Sequence, residues 1–271
     1  MNLIRVTRAE RFFGISFIVA LSLFWIFPVI VTIKNSLQVD GLNNYVYIFT
    51  HKIAGLSIFR SFFNSLIVAV GDTTIILVVG TLAAFAFSKM VFIGRQKIYS
   101  IILMCLAIPA IVAVIPFFFI LKKLHLYNTL GAVIIAEVAM TVPFAVLMMR
   151  NFFDNIPDEL MESALIDGAT KFQTFRRIYL PLSVPALINL GVLCIMWSFQ
   201  DYLFPTMFLT NGSLTTATMA VNSFQGAFSF NPIDQGRFYA SLVVLGMPAF
   251  IIFLFAQRYI ANGITSGALK D

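Results

Sequence analysis

Six runs of almost unbroken apolar sequence constrain the fold of this chain more than any other feature. They cover residues 14–33, 64–87, 98–121, 130–149, 183–205 and 239–257. An α-helix needs about 20 residues to cross a hydrocarbon core roughly 30 Å thick, and each run is near that length. The runs are continuously apolar rather than alternating, which favours helices over barrel strands. Composition agrees: 60% of the 271 residues are hydrophobic and only 11% are charged, whereas soluble domains carry about a quarter charged residues. The expected class is therefore all-α, a polytopic membrane protein with six transmembrane helices.

Charge sets the expected orientation. Arg5, Arg8 and Arg11 precede the first run and should stay in the cytoplasm. That run is longer than the apolar part of a signal peptide, and no small-residue cleavage site follows it. Six crossings return the C-terminus to the side of the N-terminus. On this assignment 12 of the 18 Lys and Arg residues are cytoplasmic, so the net charge of +6 reports topology rather than nucleic-acid binding. The expected organisation is a cytoplasmic segment 1–13, one six-helix membrane domain 14–260 with a cytoplasmic loop 150–182, and a cytoplasmic tail 261–271. Cys105 and Cys194 lie within apolar runs and read as small packing residues. His51 and His125 stand alone, so no metal site is expected.

The polar stretch between the fourth and fifth runs must face water or protein. Pro157, Asp158 and Glu159 suit a first helical turn. Leu160, Met161, Ala164 and Leu165 then share a face, and Gly168 falls where a glycine would end the helix with positive φ. Thr170 and Gln173 have capping-box spacing for a second helix through Phe175 and Ile178 to Pro181. Such an elbow either rests on the bilayer surface or docks into a partner's groove. The residues alone fit both.

The elbow resembles the signature loop of ABC importer permeases. Glu162-Ser163-Ala164 takes the place of Glu-Ala-Ala, with Ser for the middle Ala; Gly168 follows, and Ile178-Tyr179-Leu180-Pro181 closes the pattern. Two other stretches are similar to the second permease subunit of the carbohydrate-uptake, maltose-type branch. One is the ending Gly263-Ile264-Thr265-Ser266-Gly267-Ala268-Leu269-Lys270; the other is Phe63-Asn64-Ser65-Leu66, with Ala83-Ala84-Phe85-Ala86-Phe87 further along. The resemblance implies the type I importer permease fold in a bacterial or archaeal plasma membrane. It also implies a homologous sister permease, two ATPase subunits and an extracytoplasmic solute-binding protein that delivers a sugar.

No Gly is followed by Lys anywhere in the chain, so a phosphate-cradling P-loop is absent. The expectation is that this chain is not an enzyme and carries no cofactor. ATP and magnesium would sit on the partner ATPase. The resemblance assigns Glu162, Ser163, Ala164, Asp167 and Gly168 to coupling with that ATPase, with Ala164 allowing close approach and Gly168 setting the elbow angle. The tail 263–271 either frays or reaches the ATPase interface.

Polar groups inside the spans are candidate pathway residues, because a charge at the bilayer centre costs about 2.5–3.5 kcal/mol or more on insertion scales. Asp72, Glu137 and Asp201 qualify. On the fifth run Asn189, Trp197, Gln200 and Phe204 are expected on one helical face with Asp201 at its edge. An aromatic ring beside hydrogen-bonding groups suits a sugar; helix packing or pairing with the sister subunit is the alternative. Other solutes (glycerol-phosphate, a polyamine) and an ion-coupled secondary transporter are the competing functions. The latter would favour internal inverted repeats, and none is visible.

Overall fold

A computed structural model describes residues 8–227 and 231–268, with side chains for 10–226 and 231–257. The helices, in order, are α1 (Arg8–Ser36), α2 (Asn43–Thr50), α3 (Ile58–Lys89), α4 (Arg95–Cys105), α5 (Ala110–Lys123), α6 (Leu130–Asp154), α7 (Glu159–Ile166), α8 (Lys171–Thr174), a π turn Phe175–Tyr179, α9 (Leu180–Leu182), α10 (Val184–Gln200), α11 (Leu203–Phe208), α12 (Ala217–Ala227) and α13 (Pro232–Ala268). Among the described residues the only β pairing is an isolated bridge between Ile53 and Leu56. The fold is all-α, as the apolar runs predict.

Among the described residues four helices are long and apolar enough to span: Glu10–Ser36, Ile58–Lys89, Leu130–Asp154 and Pro232–Gln257. The other two expected spans are bent pairs, α4 with α5 at 104° and the 171–182 segment with α10 at 74°. The single span expected over 98–121 is thus two helices. Pro109 caps α5 in extended conformation; a proline lacks the N–H that would continue α4 and disfavours helical geometry in Ile108 before it. The span expected over 183–205 stops at Gln200, and α11 is a separate short helix. The helix expected over 239–257 starts earlier, at Pro232, and runs to Ala268. It therefore enters the stretch expected as a tail; the side chains of 258–268 and all of 269–271 lie outside the described residues.

The strongest packing joins α3 to α6, which run side by side in the same direction. A Cβ on Gly80 would lie 2.7 Å from the Cβ of Ala145, so the two backbones meet where neither residue has bulk. Small residues permit this approach between membrane helices, where packing and hydrogen bonds replace the hydrophobic drive. Gly80→Leu is expected to lower the thermal stability of the purified protein by about 1–3 kcal/mol or more, the scale of overpacking a filled interior. An unchanged melting temperature would show that α6 can move away freely. By contrast, α1 exposes Phe12, Phe17, Phe24, Trp25 and Phe27 by about two-thirds each, the all-round apolar surface of a helix meant for lipid or another subunit.

The end of the bundle opposite the elbow is tied by side-chain to backbone bonds. Asn64 Nδ2 donates to the Ser213 and Thr215 carbonyls at 3.0 Å each, and the Ser65 hydroxyl accepts from Ala217 N at 2.9 Å. Asn128 Oδ1 accepts from Thr210 N and Asn211 N. These bonds hold the long 201–217 connection against the first turns of α3 and the approach to α6.

Candidate translocation cavity and elbow

A cavity of about 140 Å³ is lined by Asp72 of α3; Glu137, Met140 and Thr141 of α6; Trp197 and Ser198 of α10; and Asp201 and Phe204 beyond the end of α10. The α3–α6 packing brings Asp72 and Glu137 together, although 65 positions separate them in sequence. Glu137 is 5% exposed and faces Ser198 and Asp201, yet neither of its carboxyl oxygens meets a donor in hydrogen-bonding geometry. Asp72 is 2% exposed with Oδ1 unpartnered, and the Ser198 hydroxyl is also unpartnered. Buried polar atoms without partners are costly, so they mark a place where water or a ligand completes the bonding.

Asp201 is different. Its Oδ1 accepts from Leu203 N at 3.0 Å and its Oδ2 from Phe204 N at 3.2 Å. It thereby turns the chain out of α10 and starts α11, while its own carbonyl accepts from the Thr218 hydroxyl at 2.6 Å. Trp197 stands edge-on to Phe144 with ring centroids 5.1 Å apart and leaves nearly half its surface open.

Of the expected pathway residues, Trp197, Asp201 and Phe204 line the cavity, and Asn189 and Gln200 do not. Phe204 leaves the expected common face because the helix ends at Gln200. Phe204 is buried, stacked on Phe208 at 5.8 Å, and reaches the cavity from α11. Asn189 is half-buried on α10 and Gln200 is exposed. Thr141 and Ser198 were invisible in the sequence, because hydroxyls within apolar helices commonly bond their own backbone.

The elbow forms as its residues predict. Ala169 N donates to Ala164 O at 2.9 Å and Gly168 N to Leu165 O at 3.1 Å, the two bonds of a Schellman closure. Gly168 holds φ +81°, a conformation that suits glycine. The capping box is complete: Thr170 N donates to Gln173 Oε1 at 2.8 Å, and Gln173 N to Thr170 Oγ1 at 3.2 Å. Glu162, Ser163, Asp167 and Gly168 are exposed. Ala164 is buried with Met161 on the face of the helix turned toward the bundle. The outward apolar tip is Ile166, 86% exposed, with Leu165 beside it and Phe172 across the turn.

A contact that sequence reasoning missed ties the elbow to the bundle. The Lys89 side chain, at the end of α3, is 4% exposed. Its ammonium donates to Ile156 O and to Asp158 Oδ1, each at 2.6 Å, and lies 5.6 Å from the Tyr179 ring centroid. Tyr179 belongs to an aromatic cluster with Phe85, Phe153 and Phe175, in which Phe85 is tilted against Phe175 at 4.9 Å and edge-on to Tyr179 at 5.2 Å. The π turn lies within this cluster; such turns interrupt regular helix and recur at functional positions. The only advance signal for Lys89 was a basic residue at the end of an apolar run.

Residues 76–266 match the protein family described as binding-protein-dependent transport system inner membrane component. That stretch includes Glu137, Asp201 and the whole elbow, and begins just after Asp72. The inner membrane ABC transporter permease protein YcjP of Escherichia coli K12 is 35% identical over 229 residues, 84% of this chain and 80% of its own. The trehalose/maltose transport system permease protein MalG of Thermococcus litoralis is 34% identical over 207 residues, 76% of this chain and 74% of its own. In fold, a chain of a bacterial ABC transporter involved in import of the acidic polysaccharide alginate superposes with TM-score 0.80, covering 93% of this chain and 98% of that one at 23% identity. This chain belongs to the binding-protein-dependent transport system inner membrane component family and is a multi-pass permease subunit of the ABC type.

Proposed function

We propose that this subunit forms half of the path by which an ATP-driven importer moves a sugar or oligosaccharide. An extracytoplasmic solute-binding protein delivers the solute, a homologous sister permease supplies the other half, and two ATPase subunits bind the ATP and magnesium. Both termini and the elbow are cytoplasmic on this reading, the membrane domain is 14–260, and 261–271 is a cytoplasmic tail. The observation that carries it is the elbow: a short helix closed rigidly at Gly168, presenting Glu162, Ser163, Asp167 and an 86% exposed Ile166 away from the bundle. A rigid knob with an apolar tip is what a partner's groove can grip and move. The carbohydrate cargo is supported by the trehalose/maltose relative and by Trp197 beside an acceptor-rich cavity.

Gentle purification of this chain from its native membrane tests the reading. An ATPase and a second permease should co-purify, and the reconstituted complex with its binding protein should take up a saccharide only when ATP is hydrolysed. Solute movement by this chain alone down an ion gradient would overturn it.

A further inference from the structure

We infer that Asp72 and Glu137 form an acidic half-site that selects the charge of the cargo. It takes saccharide ends bearing hydroxyls or an amine and rejects ends bearing a carboxylate. This deepens the proposed function and rests on it.

Both side chains are at least nine-tenths buried, at 2% and 5% exposure, and both line the cavity. Glu137 has two oxygens without a donor and Asp72 has one. The third acid, Asp201, already accepts two backbone N–H groups, so it adds negative character without needing a ligand. Among the described residues no Lys, Arg or His lines the cavity. The unmet atoms are therefore carboxyl oxygens, which accept when ionised and include one donor when protonated, and the Ser198 hydroxyl, which can donate or accept.

Sugar hydroxyls and ammonium groups donate to such oxygens, and Trp197 offers an apolar face for the ring beside them. Three carboxyls this close and this buried cannot all be ionised, so hydroxyls, which donate and accept, pair with either form and an ammonium meets the remaining negative charge, whereas a carboxylate meets a like charge. Sites built around unmet hydrogen-bonding groups discriminate sharply for this reason, because the wrong ligand leaves them unsatisfied. At about 140 Å³ the space holds a few waters, each occupying about 30 Å³ in the liquid. It therefore contacts one end of a saccharide, with the sister subunit facing the remainder.

The test uses the complete complex purified with its partners. Thermal stabilisation is measured with glucosamine, glucose and glucuronate at equal concentrations. Glucosamine and glucose should stabilise it, and glucuronate should bind about tenfold or more weakly, the scale of one hydrogen bond to a charged group. In Asp72→Asn and Glu137→Gln, which keep shape and remove the ionisable group, the preference against glucuronate should shrink by a similar factor. Equal shifts for all three sugars, or no shift with any, overturn the proposal. So does a loss of complex stability in both variants with the preference intact, which would assign the carboxylates to pairing with the sister subunit. ATP-driven saccharide uptake by the same preparation is read separately. If it succeeds while selectivity is absent, the proposed function stands and the half-site falls.

Discussion

Gly168→Pro is expected to abolish uptake while leaving the membrane bundle assembled. Proline fixes φ near −65°, whereas this position holds +81°, and it removes the N–H that donates to Leu165 O. The Schellman closure and the path into Thr170 would both be lost, and with them the direction of the exposed tip. A graded series separates backbone strain from crowding. No atom lies within 4 Å of where a Cβ on Gly168 would sit, so Gly168→Ala carries only the left-handed backbone cost of about 1–2 kcal/mol. Gly168→Val adds the stiffness of a branched Cβ. Uptake in proteoliposomes containing the full complex should therefore fall from Gly to Ala to Val to Pro, while size-exclusion chromatography shows all four intact. A proline variant that transports like the parent would dissociate the elbow from coupling.

What was legible in the sequence was local. The Gly168 closure and the Thr170–Gln173 box each depend on a few adjacent residues, so spacing alone predicts them. The spans were legible because lipid leaves helices as the solution for long apolar runs. Their interruptions were not, because they sit inside apolar sequence: Pro109 stops one helix, and the Asp201 carboxylate ends another by taking the Leu203 and Phe204 N–H groups. A helical wheel drawn through Asp201 therefore put Asn189 and Gln200 with Phe204 where the chain separates them. The cavity was half legible. Asp72 and Glu137 stood out as acids within apolar runs, but their meeting depends on the fit of Gly80 against Ala145, a tertiary contact between distant residues. Lys89 was missed for the same reason, since its partners Ile156, Asp158 and Tyr179 lie 67 to 90 positions away.

Lys89→Met should uncouple the transporter, leaving ATP hydrolysis without matching uptake. α3 carries Asp72 in the cavity wall and ends at Lys89, whose ammonium holds the Ile156 carbonyl, Asp158 and the Tyr179 face at the entrance to the elbow. Methionine keeps the buried stem and removes all three contacts. Which contact matters most can be decided by magnitude. Asp158 is 78% exposed, so water largely replaces the lost ion pair and its share is under about 1 kcal/mol. The buried end is worth more: a hydrogen bond from a charged donor contributes about 1.5–3 kcal/mol, and a cation over an aromatic face about 0.5–2 kcal/mol. Asp158→Asn should therefore be nearly silent in both uptake and stability, and Lys89→Met strongly impaired. The double variant should resemble Lys89→Met alone, with a coupling energy between the two sites below about 1 kcal/mol. Uptake and hydrolysis measured on the same proteoliposomes give the ratio that decides it. If Asp158→Asn uncouples as severely as Lys89→Met, the exposed ion pair is the joint and the buried contacts are packing. If neither variant changes the ratio, motion passes from the elbow to α3 through the Phe85–Phe175–Tyr179 ring contacts instead, and Phe85→Ala becomes the variant in which uptake and hydrolysis part.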